Sequence, residues 1–301
     1  YYKSHPFAPY TLSPDADFPV TNIEKAHYAP KFSARWEKTL GSGVRVLSIE
    51  GGIRTNVAPA NCKAVLQHVD MRQLEEILDR ITRETGVNMT ARQEGHTVLL
   101  TATGIQAHAS TPDEGKNAIT AVLQVLARLP LAEGAAENCV KALHTLFPYG
   151  DNRGAALGVD MEDRESGPLT LSLTLLTLTE TGFEGRFDSR APLCATQENL
   201  CRVTEEKMAA LGWKCQGEML PAHVVEGESD FVKTLLSAYE TFTGRKGYCE
   251  AIGGGTYVHE IPGGVAFGAG EHDFDSRLHG ANERARLSQL LKTACIYALV
   301  I

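Results

Sequence analysis

Apolar residues along this chain follow two spacings, one typical of strands and one typical of helices. Residues 44–49 are rich in β-branched and apolar side chains, and they predict a strand. Apolar residues three and four positions apart within 74–81 predict a helix that Asp70 caps and Gly86 ends. Both periods therefore occur close together, as expected for a mixed α and β fold.

Strands followed by a helix occur in two successive series between residues 26 and 220. The predicted elements are strands at 44–49, 87–92 and 97–103 and helices at 74–81 and 118–129, then strands at 169–175 and 183–187 and a helix at 196–211. Leucine alternates at period two in the first strand of the second series, and Gly212 ends its helix. The repetition predicts a pseudo-duplicated α+β module over 26–220.

The two ends of the chain differ from this module. Residues 1–25 are rich in proline and turn residues, and residues 221–301 contain a glycine-rich segment between two predicted helices. The last helix is predicted from about Glu283 to Leu299, with Asn282 as its N-cap. We therefore expect 1–25 and 221–301 to form one α/β domain that the segment 26–220 interrupts.

Composition narrows the functional class. The 301 residues are sufficient for two domains, and 43% hydrophobic and 22% charged residues are ordinary for a globular protein. The net charge of -8, without a run of lysine or arginine, argues against binding to nucleic acid or to an anionic membrane. Seven scattered cysteines without a C-x-x-C pair predict reduced thiols in a cytoplasmic protein. Because the first residue is Tyr1 and not methionine, we expect a processed or truncated chain.

Two loops carry side chains suited to chemistry on a peptide. Asp15 follows Pro14, where a fixed carboxylate can bind a metal ion or can simply form a Pro-Asp turn. His108 lies among small residues in the loop 104–112, where an accessible imidazole can polarise a carbonyl group or stabilise an oxyanion. The alternative for His108 is a surface histidine without a role.

Three further segments of the sequence could each have either a functional or a structural role. Arg190 offers a planar fork for a substrate carboxylate, or it pairs with Asp188 within the chain. The glycines of 253–256 let a backbone approach a ligand, and a phosphate loop is the weaker alternative because no G-K-[ST] follows. His279 is either a metal ligand or part of a capping turn with Asn282.

Taken in order, these phrases resemble the PepV-like dipeptidases, a branch of the cocatalytic zinc aminoacylase and carboxypeptidase G superfamily. The matching segments are Ser13–Val20, Glu24–Lys25, Gly51–Pro59, Ala107–Pro112, Phe187–Pro192, Gly253–Tyr257 and His279–Glu283. The resemblance implies an α/β catalytic domain, incomplete here, formed by residues 1–25 and 221–301. It also implies that 26–220 is an inserted α+β lid domain of two ferredoxin-like halves.

The resemblance also assigns roles to individual residues. Asp15 and His279 would each bind one of two zinc ions, for which manganese or cobalt are possible substitutes. His108 would reach from the lid to the scissile carbonyl oxygen, helped by Asn56, and Arg190 would hold the free carboxylate of the substrate. The remaining predicted contacts with the substrate come from the turn Gly254, Gly255 and Thr256.

The implied reaction is hydrolysis of dipeptides that have a free N-terminus. In such sites two metal ions activate a water molecule and polarise the carbonyl, while a glutamate transfers the proton. A small peptide is then the expected partner, and the doubled lid favours a monomer. The metal-binding H-x-D motif, the bridging aspartate and the Glu-Glu pair of the family are expected before Tyr1, so the 301 residues alone are expected to be inactive.

Similar motifs inside the chain are interpreted as structural. His68-Val69-Asp70 has the H-x-D form, but Asp70 is expected to cap a helix, and Glu75-Glu76 and Glu205-Glu206 lie on predicted solvated helix faces. His272 and Asp273 are interpreted as loop variation. Two alternative functions remain: an inactive or regulatory dipeptide-binding remnant, or an amidohydrolase of the same superfamily that acts on N-acyl amino acids.

Overall fold

A computed structural model of the chain describes residues 4–38, 41–276 and 282–301. The α-helices are α1 Met71–Thr85, α2 Ala118–Leu126, α3 Ala135–Leu146, α4 Val203–Ala210, α5 Asp230–Thr243 and α6 Leu287–Val300. The strands are β1 Leu12–Ser13, β2 Ala16–Asp17, β3 Val20–Glu24, β4 Ala26–Tyr28, β5 Lys31–Arg35, β6 Arg45–Gly51, β7 Val57–Ala58, β8 Asn61–Gln67, β9 Asn88–Glu94, β10 Thr97–Thr103, β11 Ala107–His108, β12 Glu162–Asp163, β13 Gly167–Pro168, β14 Thr170–Thr179, β15 Gly182–Ala191, β16 Lys214–Gln216, β17 Met219–Leu220, β18 His223–Val224, β19 Cys249–Ile252, β20 Val265–Ala266 and β21 Ala269–Gly270.

The chain folds into two compact units. Unit 1 comprises Tyr1–Ala26, Asp163–Gly167 and Pro221–Ile301, and unit 2 comprises His27–Glu162 and Pro168–Leu220. The interpretation of these units as a catalytic domain and a lid stays a prediction. In the described residues no helix is long and apolar enough to cross a membrane.

A single sheet of ten strands forms the centre of unit 2. Its strands lie in the order β16-β5-β15-β14-β6-β8-β10-β9. In addition, β4 pairs with β15, and β17 pairs with β4. Helix α2, in which eight of nine residues are buried, packs against β8 and β10 on one side and α1 and α3 on the other. One continuous sheet thus serves both predicted series of elements, while their description as ferredoxin-like halves stays a prediction.

Helix α1 forms where local chemistry predicts it. The Asp70 side chain accepts a hydrogen bond from the backbone N–H of Gln73 at 2.9 Å, which satisfies a donor of the first turn. Gly86 ends the helix in the left-handed conformation with φ 67°, which costs glycine little. The buried face contains the predicted apolar residues of 74–81, so this prediction is confirmed.

The alternating leucines of β14 follow the predicted pattern only in part. Leu171 and Leu173 are buried, but a β-bulge between Leu173 and Leu175 shifts the pairing with β15 by one residue. Beyond the bulge Leu176 and Leu178 face the core, and Leu175 is only half-buried. A one-residue shift exchanges the two faces of a strand, so the predicted strand is confirmed but its leucines change register after Leu173.

Unit 1 contains a sheet in the order β1-β20-β3-β18, with β19 added beside β3. Its core joins Phe18, Val20, Leu235, Phe267 and Ile296, which come from both ends of the chain. Strand β3 is buried along its whole length, as is typical of a central strand covered on both faces. The sheet therefore holds the segment before residue 26 together with the segment after residue 221.

The last helix begins later than predicted. Helix α6 starts at Leu287, and its N-cap position is Arg286, which makes no side-chain capping bond. Asn282 has a left-handed backbone with φ 60°, whereas an N-cap adopts an extended conformation. Asparagine is common in both environments, so the prediction that Asn282 caps this helix was wrong.

Candidate functional site

His108 and Asn56 lie next to each other in unit 2. Strands β7 and β11 pair antiparallel, with His108 opposite Val57, the residue after Asn56. The carbonyl oxygen of Asn56 accepts a hydrogen bond from the backbone N–H of Ala109 at 3.0 Å. The structure thus brings together two residues that the sequence places 52 positions apart (108 minus 56).

The imidazole of His108 has a defined orientation. Its Nδ1 atom accepts a hydrogen bond from the backbone N–H of Ser110 at 3.2 Å, and Ser110 Oγ lies 2.6 Å from the same nitrogen. A nitrogen that accepts from a backbone N–H carries no proton, so the neutral ring carries its proton on Nε2. Such a ring presents Nε2 as a donor, the form suited to a carbonyl oxygen or an oxyanion.

Arg190 lies in a buried cluster with Asp188 and His27. Asp188 and Arg190 are two positions apart on β15, so their side chains share one face of the strand. Arg190 donates from Nε to Asp188 Oδ1 at 2.7 Å and from its second guanidinium nitrogen to Oδ2 at 3.1 Å. His27 Nε2 lies 2.9 Å from Asp188 Oδ2. The ion-pair alternative for Arg190 therefore describes a contact that the structure contains.

Asp188 is ionised in this cluster. Burial is the largest influence and by itself would raise its pKa, because the side chain is 0% exposed. Hydrogen bonds from His27 and Arg190 outweigh burial, so the pKa of Asp188 lies below its ordinary value. A fixed carboxylate thus orients the Arg190 guanidinium. Its use for a substrate carboxylate stays a prediction.

The glycine turn of unit 1 follows β19. Ile252, the last residue of β19, pairs with Glu24 on β3. Glu24 accepts hydrogen bonds from the backbone N–H of Thr256 at 3.1 Å and from its hydroxyl at 2.6 Å. The start of the turn is therefore held by the sheet and its end by one carboxylate.

His259 completes this cluster from the other side of the carboxylate. Its Nδ1 lies 2.7 Å from Glu24 Oε2, and its Nε2 lies 2.9 Å from the carbonyl oxygen of Pro221. Both partners are acceptors, so both ring nitrogens must donate and the ring is an imidazolium. The hydrogen bond to Glu24 raises the pKa of His259 despite burial. Burial raises the pKa of Glu24, but the bonds from His259 and Thr256 outweigh it and lower that pKa.

The backbone conformation of the turn would accept other residue types in place of Gly254 and Gly255. Neither has a positive φ, and a Cβ atom added at either would meet its nearest neighbours at 3.7 Å or more. An alanine would therefore fit in both places without a clash. The lack of side chains leaves this backbone accessible, and its contact with a substrate stays a prediction.

Asp15 is exposed at a bend between β1 and β2. Nearby, His272 Nδ1 lies 3.4 Å from Asp17 Oδ2, and His272 Nε2 lies 3.2 Å from Glu250 Oε2. Asp273 pairs with Arg286 at 3.2 Å. His272 thus bridges two carboxylates on different strands, which its interpretation as loop variation did not include.

The comparisons with known proteins connect these features. Residues 90–191 match the M20 model that describes a peptidase dimerisation domain. The chain is 29% identical over 303 residues to putative dipeptidase YtjP of Bacillus subtilis (strain 168), covering 100% of this chain and 65% of that protein. It is 28% identical over 302 residues to the Beta-Ala-Xaa dipeptidase of Lactobacillus delbrueckii subsp. lactis, covering 100% of this chain and 64% of that protein.

The chain therefore resembles M20 peptidases: residues 90–191 match their dimerisation domain, and the whole chain is similar to two proteins named as dipeptidases. It spans just under two thirds of the length of these relatives. Its fold resembles the crystal structure of aminoacylhistidine dipeptidase from Vibrio alginolyticus, with a TM-score of 0.50 and 14% sequence identity. That match covers 96% of this chain and 64% of the other.

The described residues do not form a complete binding site for the metal ions expected of an M20 metallopeptidase. Those residues contain no group of three or more histidine, cysteine, aspartate or glutamate side chains that could hold a metal ion. A zinc site usually needs three or four protein ligands. Asp15 alone does not meet that requirement, and His279 lies outside the residues that the structure describes.

Sequence reasoning overlooked three residues of these clusters. Glu24 entered only as part of a matching phrase, and His27 and His259 were not singled out. A lone histidine or glutamate in a short polar stretch carries no local signal, and Glu24 meets His259 only through the fold. The rejected H-x-D motif is confirmed as structural at Asp70, which caps α1.

An apolar groove of unit 1 lies away from these residues. It has a volume of about 540 Å³, and its lining includes Tyr10, Phe231 and Tyr297 but none of the predicted site residues. Its walls are mainly aromatic and aliphatic. We therefore locate the candidate site by its polar clusters and not by this groove.

Proposed function

We propose that this M20-like protein is a metal-dependent dipeptidase that hydrolyses dipeptides with a free N-terminus. The observation that supports it most is the fixed imidazole of His108 beside Asn56, with Nε2 as the donor. The relatives YtjP and the Beta-Ala-Xaa enzyme are both named dipeptidases, which favours this reaction over the two alternatives.

His108 would act on the scissile carbonyl group. When water adds to the carbonyl carbon, negative charge develops on the oxygen, and a donor held in place stabilises that charge. The amide side chain of Asn56 would supply a second donor to the same oxygen. The C–N bond then breaks, the carbon keeps the hydroxyl group and the leaving amine takes up the proton.

Arg190 would hold the C-terminal end of the substrate. The guanidinium of Arg190, oriented by Asp188, would pair with the C-terminal carboxylate, because a planar fork matches two carboxylate oxygens. The glycine turn would offer backbone N–H donors to the remaining oxygen atoms.

The metal requirement is inferred from the family. Asp15 and His279 remain the proposed ligands, and further donors would have to come from residues that the structure does not describe. The number and identity of the ions stay predictions, as do the cytoplasmic location, the inactivity of the 301 residues alone and the monomeric state. The match to a domain named for dimerisation gives the monomer no support.

The test compares two substrates on the protein as encoded by its gene, supplied in turn with zinc, manganese and cobalt. Ala-Ala is expected to be hydrolysed and N-acetyl-Ala-Ala is not. Hydrolysis of the acetylated substrate alone would support the amidohydrolase. Binding of Ala-Ala without hydrolysis under every metal would support the regulatory remnant.

A variant tests the role of His108. His108→Ala is expected to lower kcat by about 10²–10³-fold, the usual cost of one lost oxyanion donor, with unchanged metal content. The matched control is His96→Ala, which removes an exposed histidine from the turn between β9 and β10. Equal kcat values for the two variants would remove His108 from the mechanism.

A further inference from the structure

We propose that Glu24 is the positioning residue of the glycine turn, and that it holds the turn by binding both donors of Thr256 while paired with His259. The inference rests on the proposed function, because it takes the turn to be part of the dipeptide pocket. It also changes the predicted role of Thr256, which acts on the turn and not directly on the substrate.

Thr256 has no donor left for a ligand. Its backbone N–H donates to Glu24 Oε2 at 3.1 Å and its hydroxyl donates to Oε1 at 2.6 Å. Each carboxylate oxygen thus takes one donor from the same residue, which fixes both the backbone and the side chain of Thr256. A substrate oxygen could bind Thr256 only by displacing a buried carboxylate.

Two other donors of the turn remain available. Within the part of the chain that the structure describes, the backbone N–H groups of Gly254 and Gly255 donate to no protein acceptor. Neither residue has a side chain to cover them, and Gly255 is exposed. Consecutive N–H groups of this kind bind oxygen anions. The expected ligand is therefore a carbonyl or carboxylate oxygen of a dipeptide.

His259 keeps Glu24 in its charged form and in one orientation. The side chain of Glu24 is 1% exposed and that of His259 is 10% exposed, so water contributes little to either group. The ring is held between Glu24 and the Pro221 carbonyl group, and it has a further acidic neighbour in Glu260. The ring of His223 lies 6.1 Å away, and its Nε2 donates to the carbonyl oxygen of Gly264 at 2.6 Å.

The cluster also connects the turn to the sheet. The backbone N–H of Lys25 donates to the carbonyl oxygen of Ile252 at 3.0 Å, directly before the glycines. The backbone around Glu24 thus holds the first end of the turn while its side chain holds the second. Loss of the side-chain contacts would leave the sheet intact and release only the turn.

The test uses Glu24→Gln in the protein as encoded by its gene, because glutamine keeps the shape and removes the charge. The neutral amide can only replace the charge-assisted hydrogen bonds to Thr256 and His259 by weaker neutral ones, and the imidazolium of His259 loses its counter-charge. Hydrogen exchange of the peptide 253–259, followed by mass spectrometry, is expected to accelerate about tenfold, as for the loss of about one hydrogen bond. The KM for Ala-Ala is expected to rise about tenfold, with kcat within about twofold.

The matched control is Glu260→Gln, which makes the same chemical change on an exposed neighbour of His259. It is expected to leave both exchange and KM as in the wild type. A second variant, His259→Gln, keeps the carboxylate and both Thr256 donors, and it is expected to shift exchange and KM in the same direction by a smaller factor. It serves as the test if Glu24→Gln does not fold.

Several outcomes would overturn the inference. Unchanged exchange in 253–259 would show that Glu24 does not hold the turn. Faster exchange with unchanged KM would show that the turn does not position the substrate, and a fall in kcat alone would place Glu24 in the chemistry. A wild type that neither hydrolyses nor binds Ala-Ala would sink the proposed function, while the exchange result would still decide whether Glu24 holds the turn.

Discussion

Glu24 in unit 1 and Asp188 in unit 2 are both buried carboxylates held by a histidine. Their side chains are 1% and 0% exposed, and the nearest histidine nitrogens lie at 2.7 and 2.9 Å. In both, burial would raise the pKa, and hydrogen bonds outweigh burial and lower it. Each group is therefore an ionised carboxylate that folding has removed from water.

The two carboxylates differ in what they hold. Asp188 binds the guanidinium of Arg190, a cation two positions away on the same strand. Glu24 binds the backbone and hydroxyl of Thr256, which is far away in the sequence. The same buried group thus positions a charged side chain in one unit and neutral backbone donors in the other. Their removal should have different consequences.

The largest expected effect is that of Asp188→Ala. Removal of Asp188 takes away the two hydrogen bonds that this carboxylate accepts from the buried Arg190, and breaking a buried ion pair from one side typically costs about 3–5 kcal/mol of unfolding free energy. Urea denaturation of the variant and the wild type measures this difference. The control is Asp160→Ala, which breaks an exposed pair with Arg153 and should cost less than about 1 kcal/mol.

Similar losses in these two variants would contradict the comparison. They would show that Asp188 contributes no more than a surface ion pair, and that Arg190 is held by its other contacts. A loss for Asp188→Ala near the upper end of the range would instead show that the pair is a main source of order in this part of the sheet.

The next largest effect is the dependence of stability on pH. Glu24 and Asp188 have lowered pKa values, so their contributions are present above the unfolded pKa and are lost as pH falls through the folded one. His259 has a pKa raised above 6.5, so its contribution is full below 6.5 and is lost as pH rises through the folded value. Acid should therefore weaken both units, and alkali should weaken the Glu24 cluster.

Hydrogen exchange measured separately for peptides of the two units tests this difference. After correction for the intrinsic effect of pH on exchange, protection of 253–259 should fall above neutral pH, while protection of β15 should not change. His259→Gln removes the titrating ring and should flatten the alkaline change. An equal alkaline loss in β15 would contradict the assignment to His259.

The difference between the clusters also explains what the sequence could predict. The Asp188–Arg190 pair was one of two interpretations of a short phrase, because residues two apart on a strand share a face. The caps of α1 at Asp70 and Gly86 are similarly local and were predicted correctly. Local sequence patterns thus identify contacts between residues that the repeat of a helix or strand already places side by side.

The Glu24 cluster depends on pairings that no local pattern contains. Glu24 and His259 meet because β19 adds beside β3, across a separation of 235 residues. The predicted metal ligands Asp15 and His279 also come from distant segments, and His279 lies outside the residues that the structure describes. The late start of α6 is different: Asn282 suits two conformations, and the sequence does not choose between them.

A smaller effect is expected for His27→Ala. The His27 side chain is 35% exposed, so water replaces much of what its hydrogen bond to Asp188 contributes, and the loss should be about 0.5–1.5 kcal/mol. His259→Ala, at 10% exposure, should cost more because Glu24 would then be left without its cation. Denaturation of both variants measures this order. A larger loss of unfolding free energy in His27→Ala than in His259→Ala would contradict this expected order.

The smallest change in stability is expected for Gly255→Ala. A Cβ atom there would lie 3.7 Å from His259 Nδ1 and 3.8 Å from Glu24 Oε2, which is ordinary contact, and φ is not positive. Unfolding free energy should therefore change by less than about 1 kcal/mol, with a small rise expected because alanine restricts the unfolded chain. Binding of Ala-Ala, measured by calorimetry, should nevertheless weaken, because the methyl group covers backbone donors that a substrate approaches.

Gly95→Ala, in a turn with φ 61°, is the contrasting control: it should lower stability and leave binding unchanged. Unchanged affinity in Gly255→Ala would remove the turn from the substrate pocket, and Glu24 would then hold a turn with a purely structural role.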